Sequence, residues 1–202
     1  MGKLIIDAHS HLWLKQDTVV DGKRILSLKN GRSIFMDEEV QMLPPFMIDG
    51  QNTAEVFLSN MNYAQVGGAV VVQEVIDGCQ NAYLTKVQHD YPNRFFCMGM
   101  AWNTDEAQAV IDAGLKGIAF PGHRIHEPLQ SLMPVFKLME GRGMVLSMCL
   151  ADDEAQIAQM AEVIQECPRL KVAIGHFGMP NTASFRSQVL LARQGKNVMI
   201  ES

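Results

Sequence analysis

Cysteine is scarce in this chain. Its four, Cys79, Cys97, Cys149 and Cys167, are widely separated and form no C-x-x-C pair. That argues against a disulfide framework and favours reduced thiols. Basic charge is also in short supply: 17 Lys and Arg stand against 22 Asp and Glu, a net charge of −5. Neither nucleic acid nor an anionic membrane is attracted to such a chain overall. No run of 18 apolar residues occurs, so no transmembrane helix is expected. No basic segment followed by a long apolar one opens the chain, so no secretory leader is expected and a cytoplasmic location is.

What is present is an ordinary globular composition, 48% apolar and 19% charged, in a length that suits one domain over residues 1–202. The 14 methionines are scattered through apolar segments and read as core filler.

The most informative stretch is Leu4-Ile5-Ile6-Asp7-Ala8-His9-Ser10-His11-Leu12-Trp13. An apolar run of strand length delivers two histidines at i and i+2. In a strand both rings then share one face, with Cα atoms about 6.5–7 Å apart. Neutral imidazole is the commonest metal ligand. Spacing alone leaves two readings open: half of a metal site, or two surface histidines past a strand end.

Residues 15–52 follow, long for a connection and placed where a lid or binding loop would be. Asn30-Gly31 between two short apolar runs predicts a β-hairpin there, and Pro44-Pro45 interrupts regular structure after it. From Thr53, a helix cap, the chain alternates. Helices are expected at about 54–66, 79–90, 104–113, 130–141, 153–166 and 183–194. Strands are expected at 69–73, 95–100, 115–120, 144–148, 170–175 and 197–201, most of them apolar on both faces. With the first strand this makes seven strands and six helices, the pattern of a parallel sheet covered by helices. No G-x-G-x-x-G follows the first strand, which lowers the weight of an open dinucleotide-binding sheet. The expectation is an α/β fold, a (β/α)8 TIM-type barrel cut short after its seventh strand. An unclosed barrel leaves two strand edges, which favour self-association into a homo-oligomer.

Polar residues recur where these strands end: His9 and His11, Gln73, Asn103, His123 and Arg124, Cys149, His176. The carboxyl ends of barrel strands form the active face, so these residues are expected to share a site. Glu74 and Asp77 follow the second strand and are within reach of the site, but a solvated loop is the favoured reading. His126 reads as exposed, and His89 as a charge partner for a helix C-terminus. Asp7 lies one layer deeper than His9 and reads as an orienting residue.

At this point the chain resembles a known family, the amidohydrolase superfamily, in its amidohydrolase-2 branch of decarboxylase-like and lactonase-like enzymes. The residues that carry the likeness are Asp7-Ala8-His9-Ser10-His11-Leu12-Trp13 at the first strand, Leu115–Phe120 at the fourth, and Gly175-His176-Phe177-Gly178-Met179-Pro180 at the sixth. The resemblance implies a divalent metal, zinc or alternatively manganese, on His9 and His11. It implies that His176 acts on the water or the substrate. It also marks two departures. The fifth strand ends in Cys149 where the family has a histidine ligand, leaving either a thiolate ligand or a buried thiol. The chain ends before the aspartate of the eighth strand.

Gln73 and Trp13 resemble the lactonase subgroup, some of whose members work without metal, and with Arg124 they are the expected substrate-binding residues. The expected function is hydrolysis of an ester, lactone or amide bond in a small polar or carboxylated molecule. Non-oxidative decarboxylation, metal-independent lactone opening and a binding barrel without turnover are the alternatives.

Overall fold

A curled sheet of seven parallel strands organises the computed structural model, which describes residues 4–47, 49–178 and 183–201. The chain enters through β1 (Ile6–Ser10). It then builds a separate antiparallel sheet from β2 (Asp17–Val20), β3 (Lys23–Ser27), β4 (Arg32–Phe35) and β5 (Glu38–Gln41). Helix α1 (Ala54–Tyr63) returns it to the parallel sheet at β6 (Gly68–Val71). From there strands and helices alternate. Helix α2 (Asn81–Asp90) leads to β7 (Phe95–Gly99), and α3 (Thr104–Asp112) to β8 (Gly117–Phe120). Helix α4 (Met133–Gly141) leads to β9 (Val145–Met148), α5 (Glu154–Glu166) to β10 (Lys171–Ile174), and α6 (Phe185–Leu191) to β11 (Val198–Ile200). The parallel strands pair in the order β1-β6-β7-β8-β9-β10-β11, each beside its predecessor in the chain. This is the (β/α)8-type arrangement with seven strands among the described residues.

Local chemistry explains the helix starts. Thr53 accepts from the Val56 amide through Oγ1, and Asp153 from the Ala155 amide, each satisfying an amide that has no partner within its helix. Asn103, expected at the rim, instead caps α3. Its Oδ1 accepts from the Glu106 amide while Glu106 accepts from Asn103 Nδ2 and from the Trp102 amide, a reciprocal capping arrangement.

The core has two faces. Ile118 and Phe120 of β8, Leu146 and Met148 of β9, and Val172 and Ile174 of β10 point outward into a layer shared with Leu84, Val110, Phe136, Met139 and Met160 of the helices. The alternate positions Ala119 and Val145, with Val70, Val72 and Met98, line the inside of the curl. A side chain of Leu146's size, fully buried, contributes roughly 1.5–3 kcal/mol. Among the described residues no helix is long and apolar enough to cross a membrane.

The region after β1 departs from the single hairpin expected. The hairpin about Asn30-Gly31 is there, β3 against β4, but two more strands flank it. All three turns carry two successive left-handed residues: Asp21 and Gly22, Asn30 and Gly31, Met36 and Asp37. Asp-Gly at 21–22 is itself a hairpin signal, but β2 and β5 are short and largely exposed, so neither shows a strand pattern by itself. Gly31 has a second reason to lack a side chain. A Cβ there would stand 2.4 Å from the Leu43 carbonyl oxygen, where the returning chain crosses the turn. The sheet is clamped at its root by reciprocal backbone hydrogen bonds between Trp13 and Asn52, both 3.0 Å. Asn52 Nδ2 also donates to the His11 carbonyl, so the clamp holds the first histidine segment directly.

Candidate active site

His9 and His11 lie where β1 breaks its pairing with β6, the register shifting between Asp7 and Ser10. Asp7 Oδ1 accepts from the His9 amide at 3.1 Å, so Asp7 supports the bend through the backbone. The two rings converge with Nε2 atoms 3.2 Å apart. Two nitrogens held by one tetrahedral zinc at 2.0–2.1 Å stand about 3.3 Å apart, so the pair has the spacing of two ligands to one ion.

The far side of His9 fixes which nitrogen is free. Its Nδ1 lies 2.7 Å from Glu201 Oε1, which leaves Nε2 as the nitrogen that faces His11. A carboxylate behind a histidine is the usual support of a metal-binding imidazole. Burial, then the neighbouring His9, pushes His11 down to about 4, against the Glu74 charge, which favours its charged form. Its ring is therefore neutral near pH 7, and its Nδ1 is buried without a hydrogen bond of normal geometry among the described residues. On this donor set a divalent metal fits.

His9 also belongs to a second grouping, with Cys149 and His176, that does not include His11. Ligand atoms of His9, Cys149 and His176 all lie within 4.8 Å of one another, and the His176 ring centroid is 4.6 Å from that of His9. His176 follows β10 in a left-handed conformation, φ 59°, uncommon for a residue with a side chain and a mark of functional segments. Burial lowers its pKa, with His9 and His123 adding to the effect. The residue before it makes the approach feasible. A Cβ on Gly175 would lie 2.7 Å from Cys149 Sγ and 3.4 Å from His9 Cε1. Burial pushes the Cys149 thiol up to about 12, with Glu201 and Glu74 adding to it. Without a cation beside it, Cys149 is a neutral thiol.

Glu74 divides the site into two spaces. Burial works against its charge, but a hydrogen bond from His123 and the charges of His123 and Arg124 hold its carboxyl below the usual range. His123 Nε2 stands 3.3 Å from Oε2, and Arg124 Nε 3.2 Å from Oε1. Inside Glu74 is a cavity of about 50 Å³ bordered by His11, Gln73, Ser147, Cys149 and His176. That volume admits a water or an ion. Outside it is a cavity of about 200 Å³ bordered by His11, Trp13, Gln16, Met42, Leu43, Ile76 and Asp77.

The expected substrate residues fare differently. Trp13 lines the outer cavity, its indole N–H donating to the Gly50 carbonyl. Arg124 reaches the site through its ion pair with Glu74. Gln73 borders the inner cavity, but its amide is committed to Asn81 Oδ1, the Met98 carbonyl and the Gln80 amide.

Glu74 and Asp77 are not the solvated loop expected. Asp77 is half-buried and hydrogen-bonded by Gln16 Nε2 at 2.6 Å. Burial first, then the Glu74 charge, pushes its carboxyl up to about 7, against the Gln16 hydrogen bond. Sequence reasoning also passed over Glu201, although it follows a parallel strand as the other site residues do. His126 and His89 are exposed, beside Asp21 and Asp90 respectively.

Comparison with known proteins identifies the family and the fold. A family model for amidohydrolases, amidohydrolase-2, matches residues 6–202. No curated protein matches the chain. Among solved structures it is similar to a probable 2-pyrone-4,6-dicarboxylic acid hydrolase from Acinetobacter baumannii with citric acid bound. The TM-score is 0.70 and the identity 16%, over 98% of this chain and 69% of that one. It is similar to an amidohydrolase from Burkholderia multivorans with bound zinc, TM-score 0.71 and identity 13%, over the same shares. A third is the 4-oxalomesaconate hydratase of Rhodopseudomonas palustris, TM-score 0.51 and identity 16%, over 72% of this chain and 57% of that one. At these identities the solved structures speak for the fold. The family model, covering nearly every residue from β1 to the end of the sequence, shows that this chain belongs to the amidohydrolase-2 family, whose members are enzymes of hydrolase or lyase type.

Proposed function

We propose that the chain is a metal-dependent hydrolase that opens an ester, lactone or amide bond in a small molecule. The observation that carries this reading is the 3.2 Å approach of His9 Nε2 to His11 Nε2, with His9 Nδ1 tied to Glu201. His9 and His11 would hold the ion, zinc in first place, with Cys149 as a third ligand once its thiol loses its proton. Bound there, a divalent cation supplies Lewis acidity, acidifying a water and polarising the scissile carbonyl.

The remaining steps belong to the chain's own groups. Glu201 keeps the His9 lone pair aimed inward. His176, near-neutral and on the open side of the cluster, takes the proton from the attacking water and returns it to the leaving group. Glu74, held ionised by His123 and Arg124, keeps negative charge at the mouth. Trp13, Met42 and Leu43, which flank the antiparallel sheet, line the outer cavity and limit access of bulk water. Arg124 is available to a substrate carboxylate only by giving up Glu74.

The test is metal content of the purified chain together with hydrolysis of a panel of lactones, esters and amides. Roughly one ion per chain, and activity lost with a chelator and restored by zinc, support the reading. An ion-free chain indifferent to zinc and manganese overturns it. Lactone opening by that ion-free chain would favour the metal-independent alternative, which the neutral Cys149 thiol supports.

A further inference from the structure

The outer cavity lies between two parts of the chain. One wall is the antiparallel sheet and its flanks, with Trp13, Gln16, Met42 and Leu43. The other is the loop after β6, with Ile76 and Asp77. They are locked together by Gln16 Nε2 donating to Asp77 Oδ1 and by Thr18 Oγ1 donating to the Ile76 carbonyl at 2.7 Å. His11 and Glu74 border both this cavity and the inner one, so a molecule seated here abuts the reacting end of the site.

We propose that this cavity is the subsite for the non-reacting part of the substrate, and that it selects a neutral, mainly apolar ring bearing one hydroxyl, gripped by Asp77. The proposal rests on the hydrolase reading only for which end of the substrate reacts.

Size, lining and charge each support it. An apolar cavity of about 150 Å³ accommodates benzene, so about 200 Å³ holds one six-membered ring with a small substituent. Trp13, Met42, Leu43 and Ile76 give that ring apolar walls, as ligand sites generally do. Asp77 supplies the polar contact. Its Oδ1 is taken by Gln16, and among the described residues Oδ2 has no partner. With the carboxyl pushed up to about 7, it serves as donor or acceptor to a hydroxyl near neutral pH.

A dicarboxylate meets the opposite environment. The groups facing it would be Asp77 and Glu74, while the nearby cations His123 and Arg124 are both engaged by Glu74. Burying a carboxylate against two acidic groups without a free cation is unfavourable.

Equilibrium calorimetry with three ring compounds of similar size tests this without any bond being broken. The probes are benzyl alcohol, toluene and phthalate. At neutral pH benzyl alcohol is expected to bind at least about tenfold more tightly than phthalate, and several-fold more tightly than toluene. Leu43→Trp, which fills the cavity, should abolish benzyl alcohol binding. Asp77→Leu should erase the preference of benzyl alcohol over toluene while both still bind. Phthalate binding as tightly as benzyl alcohol overturns the proposal. So does benzyl alcohol binding unchanged in a folded Leu43→Trp chain, or a hydroxyl preference retained in Asp77→Leu. A chain that binds as expected but hydrolyses nothing keeps the subsite and removes the hydrolase reading. A hydrolase that prefers phthalate does the reverse.

Discussion

His9 Nδ1 and Glu201 Oε1 meet at 2.7 Å, joining the first and last strands of the parallel sheet across 192 residues of sequence. The carboxylate is steadied from a third strand by Ser147 Oγ at 3.2 Å. Both side chains are almost fully shielded from solvent, 7% and 9% exposed. The orientation of the first histidine is therefore decided by the last strand, and the curl of the sheet is what makes the contact.

Glu201→Gln keeps the shape of that contact and removes its charge. Metal affinity is expected to fall about 10–100-fold, the usual effect of losing the group behind a metal-binding histidine. Zinc titration by calorimetry reads it. Unchanged affinity would remove Glu201 from its positioning role.

Gly175→Ala puts a methyl group 2.7 Å from Cys149 Sγ. Overpacking of this kind costs about 1–3 kcal/mol, to be read from urea unfolding. If Cys149 is the obstacle, Cys149→Ala in the same chain restores most of the loss, and the double-mutant cycle shows strong coupling. Additive effects would place the strain elsewhere.

His176→Asn isolates chemistry from backbone. Asparagine accepts the left-handed conformation that His176 adopts better than most residues do, so the turn after β10 survives. Turnover is expected to drop about 10²–10⁴-fold, the range for a lost proton-transfer group, with thermal stability nearly unchanged. Retained turnover would remove His176 from the reaction.

Asp77 makes stability depend on pH. Burial raises its carboxyl from the ordinary 3.8 to about 7, so the folded chain holds this proton more tightly than the unfolded one. The stabilisation is complete below about pH 4 and is lost as the pH rises through about 7. It amounts to something on the order of 2 kcal/mol once partial solvent contact is discounted. Asp77→Asn should lose this slope and exceed the parent chain in stability at pH 8. Parallel pH profiles in urea for the two chains would show that Asp77 is ordinary.

Much of the scaffold was legible because it rests on local rules. Apolar strands of four to six residues, each followed by a capped helix, can be read from neighbours in sequence, and β6 to β11 lie close to where the pattern puts them. The i, i+2 spacing of His9 and His11 likewise needs only a strand's geometry. The two outer strands of the antiparallel sheet were not legible. Glu38–Gln41 is mostly exposed and becomes a strand only through its pairing with β4.

The site divides along the same line. The identity and order of the histidines, and their place at strand ends, were determined by the sequence itself. Tertiary structure alone decided that Glu201 stands behind His9, that Glu74 is shared by His123 and Arg124, and that Asp77 is enclosed rather than solvated. The physical reason is that ionisation and hydrogen bonding depend on what the whole fold brings within a few ångströms. Burial behind Trp13 and Gln16 changes the chemistry of Asp77, and nothing in the residues beside it along the chain specifies that.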